Sequence, residues 1–502
     1  MFRPPDGKSL PTGRKIPKAS IPIKLTVESL KQKTFKGTLW STLERFSVQG
    51  IAFVVMIIMA RILTPDDYGL VGMLAVFIAV SQSLVDSGFS QALIRKQDRS
   101  EVDNSTVFYF NIGVGIVLYL ILFFCAPPIA RFYNHPILRP LTRLISLSVL
   151  INSFVVVQRA LLTVKIDFKT QAKASFSAAI VSGVVGITMA FTGYGVWSIV
   201  WYQLTNLTVN VGLLWIFSKW RPKWAYSWKS FRELFGFGSK LAISGIINTV
   251  YNNIYLIIIG KVFNAADLGY YTRAQQFADF PSSNVSGIIQ RVTFPVLCTI
   301  QDDDNRLRDV YRRFLRLSAF VVFPLMIGLA AVAHPFIILV LKEKWEFAAV
   351  LLQIICLSMM WYPIHAINLN LLQVKGRSDL FLKLEIWKKC IGVAILCATV
   401  PLGLVAMCWG NLVSSLIALI INTHYTGKLI QVGFLIQMKD LIPTLIYSLT
   451  MGGIVWTIVQ LLPNNILRLS IGIIVGIVYF LVITKLTRSA DLRELLSFVK
   501  AK

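Results

Sequence analysis

Residues 60–69 read ARILTPDDYG, and residues 260–269 read GKVFNAADLG. Each stretch contains, in order, a basic residue, two apolar residues and a short polar segment. It then ends with an Asp, one variable residue and a Gly. In both places the stretch interrupts a long apolar run, so it predicts a tight turn between two membrane spans rather than a catalytic loop. The second copy follows the first after about 200 residues, which indicates an internal repeat.

A second pair of segments supports the repeat. Residues 161–165 read LLTVK and residues 371–375 read LLQVK, a displacement of about 210 residues. Two repeated halves of a membrane protein predict a transporter whose site lies between them. Coincidence is the alternative, because short turns between spans resemble one another in composition.

The composition predicts an all-α polytopic membrane protein. Hydrophobic residues make up 55% of the chain, charged residues 15%, and the mean hydropathy is +0.66. These values exclude a disordered chain and an ordinary soluble enzyme. A span needs about 20 apolar residues. Windows of that length predict fourteen spans, near residues 37–62, 70–94, 105–130, 141–162, 172–192, 195–217, 238–262, 270–294, 315–341, 347–372, 380–401, 402–425, 441–462 and 466–486.

The basic residues predict the orientation in the membrane. With a cytoplasmic N-terminus, about 39 of the 50 Lys and Arg residues lie in cytoplasmic tails and loops, and about 8 lie at the other face. We therefore expect a multi-pass protein of the cytoplasmic (inner) membrane with both termini in the cytoplasm. The net charge of +26 is then mainly a topology signal. It predicts contact with anionic membrane lipids and no nucleic-acid partner.

The spans and the stretches between them predict six regions. The first is a basic tail without a signal-peptide pattern. The third, between the two halves, is basic and aromatic, and it fits either an amphipathic linker on the inner membrane surface or a solvated loop. In chain order the regions are a cytoplasmic tail (1–36), an N-terminal six-helix bundle (37–217), the linker (218–237), a C-terminal six-helix bundle (238–425), two additional transmembrane helices (426–488) and a cytoplasmic tail (489–502).

The sequence carries no motif of a familiar catalytic or cofactor site. It has no P-loop, GxSxG, GxGxxG or HExxH pattern, its six cysteines form no CxxC pair, and its four histidines are scattered. We therefore expect a transporter rather than an enzyme, with no catalytic residue, no metal and no cofactor. The longest stretches between spans, about 20 residues, leave no room for a separate catalytic domain, which disfavours a membrane glycan polymerase or ligase.

Polar side chains at membrane depth are the candidates for a site, because inserting a charge there costs about 2.5 to 3.5 kcal/mol. The eighth span is the most polar and predicts a helix that lines a water-filled cavity. The seventh carries Asn and Tyr at helical spacing, which suits hydroxyl-rich ligands. The candidates for substrate binding are Arg45, Gln49, Asn248, Tyr251, Asn252, Arg273 and Gln276. The candidates for ion coupling or an ion pair are Glu44, Asp86, Asp279 and Glu385.

Each candidate also has a structural explanation. Asn and Gln side chains commonly hydrogen-bond between membrane helices. Arg45 and Arg273 can pair with Glu44 or Asp279 and so fix helix packing, although an arginine in a cavity also suits a phosphate. The other two carboxylates can carry a coupling proton or sodium ion, or partner a nearby base.

Short motifs spread over the chain point to a specific family. They are KQKTFKGTLWS (31–41), ARILTPDDYG (60–69), DSGF (86–89), FK (168–169), GFG (236–238), IGK (259–261), LGYYTRA (268–274), VTFP (292–295) and KW (344–345) followed by Ala348. Together they resemble the Wzx-type polysaccharide flippases, in the branch that exports colanic acid and teichuronic acid. The resemblance runs from about Leu30 to the C-terminus.

The resemblance implies a fold and a function. The fold is that of the multidrug/oligosaccharidyl-lipid/polysaccharide (MOP) superfamily, with two six-helix bundles related by a pseudo-two-fold axis and two further helices. The implied substrate is a polyprenyl-diphosphate-linked oligosaccharide, which is flipped to the outer leaflet by alternating access for cell-surface polysaccharide biosynthesis. With no ATP-binding motif in the sequence, the energy comes from an ion gradient, the membrane potential or the substrate's own gradient. The candidate partners beside the substrate are a coupling ion, proton or sodium, and the polysaccharide assembly machinery.

The resemblance also suggests roles for two arginines. In the related lipid II flippases, cavity arginines of the first and eighth spans are thought to contact the diphosphate, and Arg45 and Arg273 lie in those spans here. The alternative within the superfamily is a MATE-like, ion-coupled drug antiporter. Such a protein would favour acidic and aromatic cavity residues over arginines.

Overall fold

The computed structural model describes Trp40, residues 47–86 and residues 88–500. Within that part the chain forms helices joined by short turns. In chain order the helical segments are α1 (Ser47–Ile62), α2 (Pro65–Asp86 and Phe89–Arg95), α3 (Glu101–Tyr133), α4 (Leu138–Ile145, Leu147–Ser153 and Val156–Val164), α5 (Phe168–Phe191), α6 (Val196–Phe217), α7 (Trp228–Asn252 and Ile254–Val262), α8 (Ala265–Thr299), α9 (Asp304–Ala331 and Ala333–Leu341), α10 (Glu346–Met359 and Tyr362–Val374), α11 (Ser378–Thr399), α12 (Leu404–Ile430), α13 (Phe434–Leu461), α14 (Asn465–Leu486) and α15 (Ala490–Lys500).

The segments α1 to α14 overlap with the fourteen predicted spans, one for one. In the described part, nine stretches have an 18-residue window whose mean hydropathy lies between 1.6 and 2.6. The bent α7 is a tenth if its two parts, which meet at 43°, cross the membrane as one span. The predicted all-α, multi-pass architecture is confirmed. The helix of α7 begins at Trp228, ahead of the predicted span start at 238.

The two repeated turns fold as the N-terminal caps of α2 and α8. The Asp67 carboxylate accepts hydrogen bonds from the backbone N–H of Thr64 at 2.9 Å and from its hydroxyl at 2.8 Å. In the second copy, Asn264 Oδ1 accepts a hydrogen bond from the backbone N–H of Asp267 at 2.7 Å. Short polar side chains at these positions satisfy N–H groups that the first helical turn leaves unpaired. This is the local reason for the polar segment in each copy.

The two turns also contact each other across the pseudo-two-fold axis. A Cβ atom added to Gly69 would lie 1.7 Å from the carbonyl oxygen of Ala265, at the start of α8. A Cβ atom on Gly269 would lie 2.0 Å from the carbonyl oxygen of Pro65, at the start of α2. Only glycine allows two backbones to approach this closely. The repeat therefore encodes the reciprocal contact that joins the two halves.

We call the end of the molecule that holds these turns the turn end, and the opposite end the loop end. At the loop end, α2 meets the start of α7, where a Cβ atom on Gly88 would lie 2.3 Å from the carbonyl oxygen of Gly238. Beside this contact, Lys96 Nζ lies 3.0 Å from Glu233 Oε2. The two halves thus touch at both ends.

A buried polar cluster joins α13 to the C-terminal half. Gln437 of α13 donates hydrogen bonds to Asn368 Oδ1 of α10 at 3.1 Å and to Thr426 Oγ1 of α12 at 2.9 Å. A bidentate ion pair joins Arg312 of α9 to Asp440 of α13, with two N–O distances of 2.7 Å. Because the cluster hydrogen-bonds to several helices at once, it fixes the position of α13.

Candidate substrate-binding cavity

Two adjoining cavities of about 310 Å³ and 340 Å³ lie between α1 and α8. They share Ala52, Leu256, Thr272 and Gln276 in their walls. The first is additionally lined by residues of α2 and α6, and the second by the middle of α8. The predicted polar α8 therefore lines both cavities, which adjoin each other where these four residues lie.

Arg273 dominates the first cavity. Its guanidinium carbon lies 4.3 Å from the centroid of the Tyr68 ring. Its Nε is buried without a hydrogen-bond partner, and within the described chain no carboxylate pairs with it. A cation held over an aromatic face keeps the planar donors of its guanidinium available to an anionic ligand.

The ion pair considered between Arg273 and Asp279 does not form. Asp279 lies further along α8 in the second cavity, where its carboxylate accepts a hydrogen bond from Gln275 Nε2 at 2.9 Å. The sequence spacing of six residues places the two side chains at successive levels of the same cavity rather than side by side. The arginine and the carboxylate are therefore separate features of the site.

The second cavity offers hydrogen-bond acceptors. Gln49 of α1 and Gln275 of α8 line it, and the Oε1 atom of each is buried without a hydrogen-bond partner. A buried carbonyl oxygen without a hydrogen-bond donor destabilises the protein by about 1–3 kcal/mol. A ligand hydroxyl placed here would recover part of that cost. The arrangement suits a polyhydroxylated ligand beside an anion.

Two of the three predicted residues of α7 lie against α11 instead. Asn248 Oδ1 accepts a long hydrogen bond from Lys389 Nζ at 3.4 Å, and the same ammonium lies 5.1 Å from the centroid of the Tyr251 ring. Asn252, at the bend of α7, is exposed. Glu385 of α11 forms an ion pair with the Lys388 side chain. Asn248, Tyr251 and Glu385 thus lie where α7 meets α11. None of the four predicted positions lines the cavity between α1 and α8.

Three predicted positions cannot be placed in this way. Glu44 and Arg45 lie outside the described residues, and so does the side chain of Asp86, whose backbone ends the first helix of α2. The described members of the predicted site that line the cavity are thus Gln49, Arg273, Gln276 and Asp279.

The cavity also contains residues that the sequence did not single out. Tyr68, Tyr202 and Gln203 line the first cavity. Tyr68 belongs to the first repeated turn, which the sequence analysis explained only as a turn between two spans. A signal was present, because the second copy has Leu268 at the equivalent position and the two halves therefore differ there. The two residues of α6 stand in an apolar span and could have been found as its polar positions.

An apolar groove of about 610 Å³ runs beside the second cavity, between α1, α8, α9, α13 and α14. Phe53 and Phe280 line both spaces and form the wall between them. Gly328, Gly472 and Gly476 widen the groove where α9 faces α14. A polar cavity and an apolar groove that share a wall suit an amphiphile with a polar head and a long hydrocarbon chain.

Comparisons with known proteins identify the relatives of this chain. Residues 58–350 match the sequence profile of a family described as polysaccharide biosynthesis protein. The chain is 29% identical to the lipopolysaccharide biosynthesis protein WzxC of Escherichia coli over 79% of its length and 80% of that protein. It is 25% identical to the teichuronic acid biosynthesis protein TuaB of Bacillus subtilis over 90% of its length and 95% of that protein.

A solved structure matches the fold. The lipid II flippase MurJ, in an inward closed conformation, superimposes with a TM-score of 0.74 at 14% sequence identity, covering 91% of this chain and all of that one. At this level of identity the likeness concerns the fold.

Proposed function

The chain belongs to the family of polysaccharide biosynthesis proteins, as a Wzx-type flippase of the MOP superfamily, and from this premise we propose how it handles its substrate. A polyprenyl-diphosphate-linked oligosaccharide enters the cavity between α1 and α8 from the cytoplasmic leaflet and leaves in the outer leaflet. The protein moves the lipid without making or breaking a covalent bond. The polysaccharide assembly machinery then uses the exported glycan.

The observation that carries this proposal is the uncommitted guanidinium of Arg273. Its buried Nε lacks a hydrogen-bond partner, and Tyr68 supports the charge from one face. A diphosphate supplies several oxygen acceptors to such a group. Arg45, proposed from the sequence alone, is the second arginine for the diphosphate.

The rest of the substrate is divided by polarity. Sugar hydroxyls hydrogen-bond to Gln49, Gln275 and Gln276 in the second cavity. The polyprenyl chain occupies the apolar groove on the other side of Phe53 and Phe280. Each part of the lipid then meets a surface of its own polarity, which limits the desolvation cost of transfer.

Alternating access uses the two places where the halves touch. Opening the loop end separates Gly88 from Gly238, and opening the turn end separates Gly69 from the start of α8. Asn248, Tyr251 and Asn252 bind sugars only after α7 moves away from α11, because the first two face Lys389 here. The bend of 43° gives α7 a natural hinge for this motion.

The energy source is a coupling proton or sodium ion. Asp279 is the carboxylate that lines the described cavity, and it is our first choice for this role. Glu385 is paired with Lys388 and would have to release it. Glu44 and Asp86 remain candidates from their positions in the sequence. The protein resides in the inner membrane with both termini in the cytoplasm, so the loop end faces the cytoplasm.

The rival transport function is less compatible with the cavity. A cationic drug would meet the positive charge of Arg273 in the first cavity, where no described carboxylate neutralises it. Like charges brought together in a partly buried site repel strongly. An antiporter of the MATE type is therefore disfavoured.

Complementation of a deletion strain tests the proposal. Loss of the protein should cause an oligosaccharide diphosphate lipid to accumulate in the cytoplasmic leaflet, detected by mass spectrometry of lipid extracts. Arg273→Ala should fail to restore export while reaching the membrane in normal amount, and Arg273→Lys should restore it in part. Arg131→Ala, which removes an exposed arginine of α3, should complement fully. Normal export in Arg273→Ala would refute the assignment.

A further inference from the structure

A groove of about 460 Å³ lies between α3, α4 and α6, near the turn end of the N-terminal half. We propose that it is a binding site for the phosphate of an anionic glycerophospholipid. Two arginines, Arg139 and Arg143, line the groove together with Tyr119, Phe123 and Trp197. The arginines complement the negative charge of the phosphate, and the aromatic rings complement the adjoining hydrocarbon chain of the lipid.

Arg143 is held in place for an anion. Its guanidinium carbon lies 4.3 Å from the centroid of the Phe123 ring, and its Nε is buried without a hydrogen-bond partner. Arg139 precedes it by four residues, so both side chains project from one face of α4. Within the described chain neither arginine forms a salt bridge. Their charges are therefore available to a ligand.

Other basic residues at the turn end are used differently. Arg61, Lys261 and Lys344 all donate hydrogen bonds to backbone carbonyl oxygens near helix ends. Those contacts satisfy acceptors that helix C-termini leave unpaired. Arg139 and Arg143 make no such contact and lie in an open groove instead. Hydrogen bonds to helix C-termini thus account for Arg61, Lys261 and Lys344. They do not account for Arg139 and Arg143.

The occupant is a lipid of the surrounding bilayer rather than the transported substrate. None of the residues lining this groove lines the cavity between α1 and α8 or the apolar groove beside it. The neighbouring surface of α3 exposes Ile116, Leu120 and Phe124, a suitable face for an acyl chain. A phosphate on the arginines and a chain along α3 describe a lipid bound at the rim of the protein.

Lipid retention tests the proposal. The intact protein is reconstituted in nanodiscs with equal phosphatidylglycerol and phosphatidylethanolamine, and retained lipids are counted by native mass spectrometry. The wild type should retain phosphatidylglycerol preferentially. The double variant Arg139→Gln/Arg143→Gln should retain about tenfold less of it, because two charged hydrogen-bond donors are lost. Arg131→Gln removes an exposed arginine at the same end, and should match the wild type.

Two results would overturn the site. One is equal retention of phosphatidylglycerol by the double variant and the wild type, and the other is no preference for it over phosphatidylethanolamine in the wild type. If the double variant does not fold, the single variant Arg139→Gln serves, because that side chain is exposed and its replacement leaves the packing intact. The export assay is not needed, so the outcome is independent of the proposed substrate.

Discussion

The guanidinium carbon of Arg273 lies 4.3 Å above the ring of Tyr68, and the two residues come from opposite halves of the repeat. The pseudo-two-fold axis maps this pair onto Met73 and Leu268, which are both fully buried against Gly260. One of two equivalent positions thus carries a cation on an aromatic ring, and the other carries an apolar contact. The symmetry of the fold is kept while the chemistry of the cavity is one-sided.

The Tyr68 ring should matter more than its hydroxyl. Tyr68→Phe keeps the aromatic face under Arg273 and should export normally, whereas Tyr68→Leu removes it. A cation–π contact contributes about 0.5–2 kcal/mol, so we expect a fall of about 2- to 30-fold in the export rate of Tyr68→Leu. The rate is measured as glycan lipid reaching the outer leaflet. Met73→Leu, at the apolar equivalent of Arg273, is the control, and equal rates for Tyr68→Leu and Tyr68→Phe would contradict the prediction.

Alanine at either repeated glycine should force the halves apart. The added methyl group would lie 1.7 Å from a carbonyl oxygen at Gly69 and 2.0 Å from one at Gly269. Backbone must shift to relieve such contacts, and overpacking of this kind costs about 1–3 kcal/mol. Both variants should unfold at lower temperature in lipid-containing detergent. Gly212→Ala, where no atom lies within 4 Å of the new methyl, should unfold at the same temperature as the wild type. Unchanged melting of both variants would show that the contact does not join the halves.

The sequence was sufficient for the fold and for part of the cavity. Apolar runs of the right length predicted the spans, and the polarity of α8 predicted that Gln276 and Asp279 line a cavity. The spacing of Asn248 and Tyr251 predicted a common face of α7 but not its neighbour, and that face meets α11. Helical periodicity describes one helix at a time, whereas a cavity depends on which helices pack together.

The ion pairs at the loop end should persist across the physiological pH range. Lys96 Nζ lies 3.0 Å from Glu233 and 3.3 Å from Asp103. Burial lowers the pKa of Lys96, but its hydrogen bonds to these two carboxylates outweigh that effect and raise the pKa overall. A lysine whose pKa is raised on folding stabilises the fold at every pH below its ordinary pKa of about 10.4, and the stabilisation is lost only as the pH rises through the raised pKa. The contribution of Lys96 to stability should therefore not change between about pH 6 and pH 9.

Thermal unfolding of Lys96→Met at several pH values checks this expectation. The variant should be less stable than the wild type by about 1–3 kcal/mol, because the buried carboxylate of Asp103 loses a charged hydrogen-bond partner, and the difference should be the same at each pH. Lys229→Met removes an exposed lysine at the start of α7 and should have no effect. A difference that disappears as the pH rises toward 9 would mean that Lys96 loses its proton there, contrary to the raised pKa.

The buried amide of Gln437 should hold α13 to the C-terminal half. Its Nε2 lies 3.1 Å from Asn368 Oδ1 and 3.3 Å from the Tyr311 hydroxyl, and its Oε1 accepts from Asn368 Nδ2 at 3.1 Å. Gln437→Leu removes both hydrogen bonds between Gln437 and the Asn368 amide. We therefore expect a loss of about 1–3 kcal/mol in the free energy of unfolding. Asn368→Leu alone should cost a similar amount. The double variant should cost less than the sum, because neither amide then remains without the other, which is the loss that both single variants share. Gln460→Leu, at an exposed position of the same helix, is the control. Additive losses in the double variant would show that the two amides stabilise the protein independently and that the cluster does not act as a unit.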